Sequence, residues 1–345
     1  RNVFITGHTG FKGGWISHWL SKMGANVFGY SLAPPSEINF FELTRLKEKL
    51  SESLIDNILD LITLSKAMKN ANPSVVIHMA AQPLVRASYD IPIETFKTNI
   101  IGTANILEAA KNIKDLRAII NITTDKCYEN YEQLTPYVET DRLGGYDPYS
   151  SSKACSELIS ASYRNSYLRK SGIHLATARG GNVIGGGDWS KDRLIPDFFK
   201  SLELEQPFKI RSPESIRPWQ HVLEPVSGYL TLAEKLVLNG DKYADAWNFG
   251  PTENNTKNVL EIVDHLFKKT KKIELIKEST PKAHETKTLK IDSSKAISRL
   301  GWKQQWNIDT ALNKTIDWYK AWLNKEDLFD ITISQISEYE DKLNK

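Results

Sequence analysis

Short apolar runs alternate along this chain with longer stretches in which apolar positions recur every three or four residues. Val3-Phe-Ile-Thr6, Asn26-Val-Phe-Gly-Tyr-Ser31, Val75-Val-Ile-His-Met79, Ala118-Ile-Ile-Asn-Ile-Thr123 and Ile173-His-Leu-Ala-Thr-Ala178 read as buried strands. Between them the spacing predicts helices near 12–23, 60–71, 93–113 and 149–169. Such alternation predicts the α/β class, a doubly wound parallel sheet with helices on both faces.

After Gly180 the pattern loosens, and Gly185-Gly-Gly-Asp188, Pro196, Pro207, Pro213 and Pro218 mark loops. A short strand, Ala246-Trp-Asn-Phe249, is expected to return to the first sheet, and helices are predicted near 257–270 and 308–323. The expected division is a Rossmann-type dinucleotide domain over 1–180, joined by the strand near 244–250, and a smaller mixed α/β lobe over 181–345. A cleft between two lobes is the default place for a ligand.

Composition narrows the function. Forty-five basic against 42 acidic residues leave a net charge of only +3, so no global field for nucleic acid exists. Two cysteines, Cys127 and Cys155, are too few for a disulfide framework and are expected to be reduced thiols. No metal site is read, since no second ligand stands at metal spacing from the histidines. No apolar run reaches the roughly 18 residues of a membrane span. Residues 1–6 read as a strand rather than a signal peptide, so a cytoplasmic protein is expected.

Thr6-Gly7-His8-Thr9-Gly10-Phe11-Lys12-Gly13 follows the first strand and opens a helix. Glycines there let the backbone approach a pyrophosphate, whose charge is favoured at a helix N-terminus. Gly7, Thr9, Gly10, Phe11, Lys12 and Gly13 are therefore the expected cofactor loop. The second strand ends in Tyr30-Ser-Leu-Ala-Pro-Pro35, with neither an acid for an NAD ribose nor a base for an NADP phosphate. NAD is favoured, because a 2′-phosphate without a cation is poorly served.

Tyr149 and Lys153 stand one helical turn apart. A free tyrosine ionises near pH 10, and a neighbouring ammonium together with an oxidised nicotinamide lowers that value towards neutrality. Thr124 and the pair Asp125-Lys126 follow the predicted strand 118–123 and add an acid and an amine to the same site.

The glycine loop, His78-Met-Ala-Ala81, Asn99 and Tyr-x-x-x-Lys together resemble an extended short-chain dehydrogenase/reductase. Gly7-His-Thr-Gly-Phe-Lys-Gly13, Ala80-Ala-Gln-Pro-Leu-Val85, Asp125-Lys-Cys-Tyr128, Gly185-Gly-Gly-Asp-Trp189 and Arg217-Pro-Trp-Gln-His-Val-Leu-Glu-Pro225 resemble the CDP-glucose 4,6-dehydratase family over nearly the whole chain. The resemblance implies a redox-neutral dehydration. Tyr149 takes the sugar 4-hydroxyl proton as hydride passes to NAD, Thr124 bonds the same oxygen and Lys153 holds the ribose. Asp125 then acts as acid for the 6-hydroxyl, and hydride returns to C6. Lys126, where the wider dehydratase group usually has Glu, is either the C5 base or a charged stabiliser of the enolate.

The same resemblance places Asn57, Ile58, Ala80, Ala81, Gln82 and Asn99 around NAD. Asn57 replaces the usual acid at the adenine, its amide oxygen still able to accept. Arg193 and Arg217 are implied as diphosphate clamps, with Asn182, Arg86 and His221 also near the nucleotide sugar. A structural role for His221 is left open. Trp189, Trp219, Trp247, Trp302 and Trp306 are expected to pack rather than to stack on a base. A homo-oligomer is implied, a dimer or tetramer with helices 93–113 and 149–169 as the dimer seam. Other dehydratases, a 4-epimerase or a non-catalytic dinucleotide sensor are the alternatives, and an epimerase has no need of an acid at C6.

Overall fold

Val75-Val-Ile-His78 and Ala118-Ile-Ile-Asn-Ile-Thr-Thr124 are buried on both faces, as strands covered by helices on each side must be. The computed structural model describes residues 1–133, 135–251, 256–277 and 289–344. These two strands, β4 and β5, sit at the centre of a seven-stranded parallel sheet. The others are β1 (Asn2–Thr6), β2 (Asn26–Ser31), β3 (Glu52–Ile55), β6 (His174–Gly180) and β11 (Ala246–Phe249), in the order β11-β6-β5-β4-β1-β2-β3. The order reverses between β1 and β4, the topological switch point at which such sheets bind ligands. The returning strand lies where the sequence predicts it, with Phe249 opposite Gly180.

Consecutive residues of a strand feed opposite layers. Ile120 and Ile122 join Trp15, Tyr229, Trp247 and Phe249 on one side. Ile119 joins Phe4, Leu64, Met68 and Ile106 on the other. The helices are α1 (Phe11–Lys22), α2 (Phe40–Leu43), α3 (Leu61–Ala71), α4 (Val85–Asp90), α5 (Pro92–Phe96), α6 (Gly102–Ala110), α7 (Pro148–Tyr163), α8 (Leu194–Glu203), α9 (Leu223–Asn239), α10 (Val259–Lys269), α11 (Ile308–Leu323) and α12 (Leu328–Leu343). The predicted helix 93–113 is α5 and α6 joined by a widened π-type turn at Lys97–Ile101, and 149–169 is α7 followed by another at Arg164–Leu168.

Beyond Gly180, Gly185-Gly-Gly-Asp188, Pro207 and Pro213 lie in loops and turns as expected, whereas Pro196 falls in α8 and Pro218 in one of three short strand pairs. β7 (Val183–Ile184) lies beside β10 (Gln220–His221), β8 (Phe208–Ile210) beside β13 (Leu275–Lys277) and β9 (Ile216–Pro218) beside β12 (Thr256–Asn258). Trp189, Trp219, Trp247, Trp302 and Trp306 are all buried, as packing aromatics should be. Cys127 and Cys155 are free thiols. Among the described residues no helix is long and apolar enough to cross a membrane.

Candidate active site

The glycine loop crosses the switch point. Gly7 has φ +80°, and a Cβ there would lie 2.7 Å from the Ala80 nitrogen at the end of β4. A Cβ on Gly13 would lie 2.0 Å from the Gly7 carbonyl oxygen, so the first turn of α1 folds back onto the loop only with glycine. Thr9 ties the loop to the end of β2 through Ser31 Oγ at 2.8 Å and the Leu32 carbonyl at 2.9 Å. α1 has no acid in its first turn and no side chain capping it, so its N-terminal N–H groups are available to an anion.

Tyr149, Lys153 and Glu157 climb one face of α7, whose start is capped by Asp147. Tyr149 hydrogen-bonds Thr124. Its phenol is pushed up to about 12, first by burial, with the Thr124 bond and Arg193 pulling the other way. The lowering expected from the sequence is therefore absent from the chain by itself. The nicotinamide charge would have to supply it. Lys153 donates to the Ile122 carbonyl at 3.1 Å and is held down to about 8 by burial and by Lys12, against the pull of Glu157.

Asp125 and Lys126 turn off the end of β5 in a single tight turn. Thr124 Oγ1 donates to Asp125 Oδ1 at 3.0 Å, and the Lys126 N–H donates to Thr124 at 3.3 Å. Thr124 thus stands between the tyrosine and the acid. Behind the turn lies a buried ion pair. Glu157 accepts from Arg179 at 2.9 Å, from Thr177 at 2.7 Å and from Thr123. Arg179 also donates to the Tyr128 hydroxyl at 2.7 Å, and Tyr128 donates to Asn248. α7, β5, β6, β11 and the 125–128 turn are joined through these groups.

Cations gather on the open side. Lys12 is held down to about 8 by burial and then by Arg193, with Asp125 and Asp188 opposing. It therefore stands within reach of the Asp125 charge. Arg193 pairs with Asp188 at 2.6 Å. Arg86 on α4 and Arg211 at the end of β8 share Asp192, at 3.2 and 3.0 Å. Asn182 is half-buried in the turn between β6 and β7.

Several residues are placed differently from expectation. His221 is fully buried between Trp15 and Trp306, with burial pushing its ring down to about 3, so it packs in the core instead of facing a sugar. Asn99 spends its amide on the Gln82 backbone and on Ser152, and Gln82 turns its own amide to Leu84 and Thr95. Both shape the loop beside Ala80 and Ala81 rather than reaching into the cleft. Asn57 is exposed, and its amide oxygen is taken by the Leu59 N–H at 3.0 Å, while Ile58 beside it is buried. The Arg217 side chain lies outside the described residues. Glu157, Arg179, Asp188 and Arg211 went unassigned in the sequence. The Glu157 role had a signal, since it continues the i, i+4 ladder of Tyr149 and Lys153.

A glycine loop at the switch point, a tyrosine–lysine helix and an acid sharing one threonine with that tyrosine now stand together. The profile described as GDP-mannose 4,6 dehydratase matches residues 4–315. The chain belongs to that family. The CDP-glucose 4,6-dehydratase of Salmonella typhimurium is 47% identical to it over 347 residues, covering 98% of this chain and 96% of the relative. The dTDP-glucose 4,6-dehydratase of Shigella flexneri is 27% identical over 77% of each chain. A solved UDP-glucuronic acid 4-epimerase from Bacillus cereus, in complex with UDP-glucuronic acid and NAD, has the same fold, with a TM-score of 0.77 at 24% identity over 93% of this chain and 99% of its own. As a member of the 4,6-dehydratase family, the chain is a carbon–oxygen lyase.

Proposed function

We propose that this dehydratase converts CDP-glucose to CDP-4-keto-6-deoxyglucose with no net oxidation, using NAD. The observation that carries the reading is the Thr124 bridge, which puts an acid, Asp125, beside the tyrosine of a C4 oxidation site. The 47% identity to a CDP-glucose enzyme along nearly the whole chain supports the cytidine nucleotide.

The residues fit NAD. Gly7, Thr9, Gly10, Phe11, Lys12 and Gly13 would hold its pyrophosphate, where a Cβ on Gly7 or Gly13 would close the backbone cradle. Asn57 and Ile58 would flank the adenine, Ala80, Ala81 and Gln82 would form the wall at the end of β4, with Asn99 holding that wall in place, and Lys153 would bond the ribose. Bound NAD supplies a hydride acceptor for C4 and a donor for C6, and is regenerated.

Tyr149 takes the proton of the 4-hydroxyl, with Thr124 bonding the same oxygen. Once C4 is a ketone, the C5 hydrogen is acidic. Lys126 takes that proton, Asp125 gives a proton to the C6 oxygen, and the C6–O bond breaks to release water. Arg193, Arg86, Arg217 and Asn182 hold the diphosphate and sugar, the arginines by their planar fork of donors. Residues 1–180 with β11 serve the cofactor and 181–345 the nucleotide sugar.

CDP-glucose carrying deuterium at C4 is expected to give product carrying it at C6, read by mass spectrometry. Product free of label at C6 overturns the mechanism.

The enzyme works as a homo-oligomer. Ile93, Ile101, Leu158 and Tyr167, on α5, α7 and their π-type turns, are between 50 and 65% exposed, which suits a second copy of the same helices. Leu158→Glu is expected to lower the sedimenting mass, and an unchanged mass moves the interface elsewhere. A reducing cytoplasm suits its two free thiols.

A further inference from the structure

One buried polar group near the site has no assigned work. Tyr229 lies on α9 with its side chain fully buried and its ring edge-on to Phe249 at 5.5 Å. Its hydroxyl has no hydrogen-bond partner among the described residues. An unpaired buried hydroxyl costs stability, which makes an apolar ring the better choice if packing were its whole role.

The position of that hydroxyl is specific. A Cβ on Gly180 would lie 2.7 Å from it, so only glycine at the end of β6 leaves it room. Gly180 is in register with Thr124, one strand spacing of about 4.8 Å away. The next residue, Gly181, borders the acid more loosely, since a Cβ there would lie 3.2 Å from Asp125 Oδ2. Two successive glycines therefore accommodate the Tyr229 hydroxyl and the Asp125 carboxyl. Burial, and then the charges of Tyr149 and Asp125, push the Tyr229 phenol upward, so it stays a neutral donor.

We infer that Tyr229 is a positioning residue for the acid, its hydroxyl donating a hydrogen bond, directly or through one water, to the carboxylate that Asp125 becomes after protonating the C6 oxygen. The balance is simple. The Asp125 O–H bond breaks, its proton goes to the oxygen leaving C6, and water departs. Tyr229 keeps its own proton throughout. C4 oxidation, carried by Tyr149 and Thr124, does not involve it.

The inference rests on the dehydratase reading, and Tyr229→Phe tests it in the holoenzyme with CDP-glucose. The variant is expected to lose on the order of ten-fold in kcat, the worth of one hydrogen bond to a charge. KM should stay within about two-fold. Reduced nicotinamide should accumulate in the steady state, because oxidation continues while water loss lags. Thermal unfolding should occur at the same or a higher temperature, since an unpaired hydroxyl has gone. A variant with wild-type kcat, or a slow one whose cofactor stays oxidised, overturns the inference. Wild-type turnover in the same assay separates this failure from a failure of the substrate reading.

Discussion

Asp125 divides two reactions that share a first step. In the proposed mechanism, removing a proton from the 4-hydroxyl needs Tyr149 and Thr124, whereas expelling the 6-hydroxyl needs a proton that neither of them supplies. Asp125→Asn keeps the shape and the Thr124 contact but has no acidic proton to give. In single turnovers, reduced nicotinamide is expected to form near the wild-type rate while water loss slows by about 10² to 10⁴. Equal slowing of both steps would make Asp125 a binding group instead. Tyr149 poses the complementary problem. The chain alone holds its phenol at about 12, so the base is poised only when positive charge arrives beside it. Lys153 gives its ammonium to the Ile122 carbonyl. The charge of an oxidised nicotinamide would lower the phenol's value, so in the proposed mechanism the base is poised when the cofactor is bound.

At the scale of elements, the parts most legible in the sequence were those with one strong period. β1, β2, β4, β5, β6 and β11 are apolar runs bounded by turn residues, and they fall within one or two residues of the predicted spans. α9 went without a prediction, and its sequence carries Pro225 and Gly228, both poor helix formers. Pro225 stands in the first turn, where a missing N–H costs nothing. β3 and α12 were hidden differently, β3 by charge and exposure at a sheet edge and α12 by a weak apolar stripe. Side chains followed the same division. Glycines and the Tyr149–Lys153 pair have fixed spacing and could be read. Asn99 and Gln82 were assigned to the cofactor because sequence cannot show that their amides are used up within the loop. The Arg179–Glu157 pair was invisible because its partners come from separate strands and a helix. Breaking such a pair leaves a buried charge. It fixes the 125–128 turn relative to α7.

For the whole molecule, Glu224 connects the C-terminal helix to the cofactor half. Its buried carboxyl accepts from the Trp306 N–H at 2.7 Å, from the Gln305 N–H and from the Tyr339 hydroxyl at 2.5 Å. Tyr339 on α12 packs edge-on against Trp19 of α1, and Trp19 donates to Glu340 at 2.8 Å. α1 begins in the glycine loop, so this contact reaches from the last helix to the first. Burial pushes Glu224 up to about 7 from an ordinary 4.5, while its three donors pull it down. A carboxyl raised on folding keeps its proton in the native state over a range where the unfolded chain has lost it. Native stability therefore falls as pH rises from about 4.5 to about 7 and is flat above, by an amount on the order of 3 kcal/mol for this group. Glu224→Gln carries no titrating proton, so it should lose this slope. Urea unfolding of both proteins at about pH 5 and about pH 8 is expected to show the variant gaining on the wild type at the higher pH. A constant difference between them would mean that Glu224 titrates alike in both states, its donors compensating fully for burial. A gain would identify Glu224 as a pH-sensitive tie at the α1–α9–α12 junction, with α12 a brace under the glycine loop.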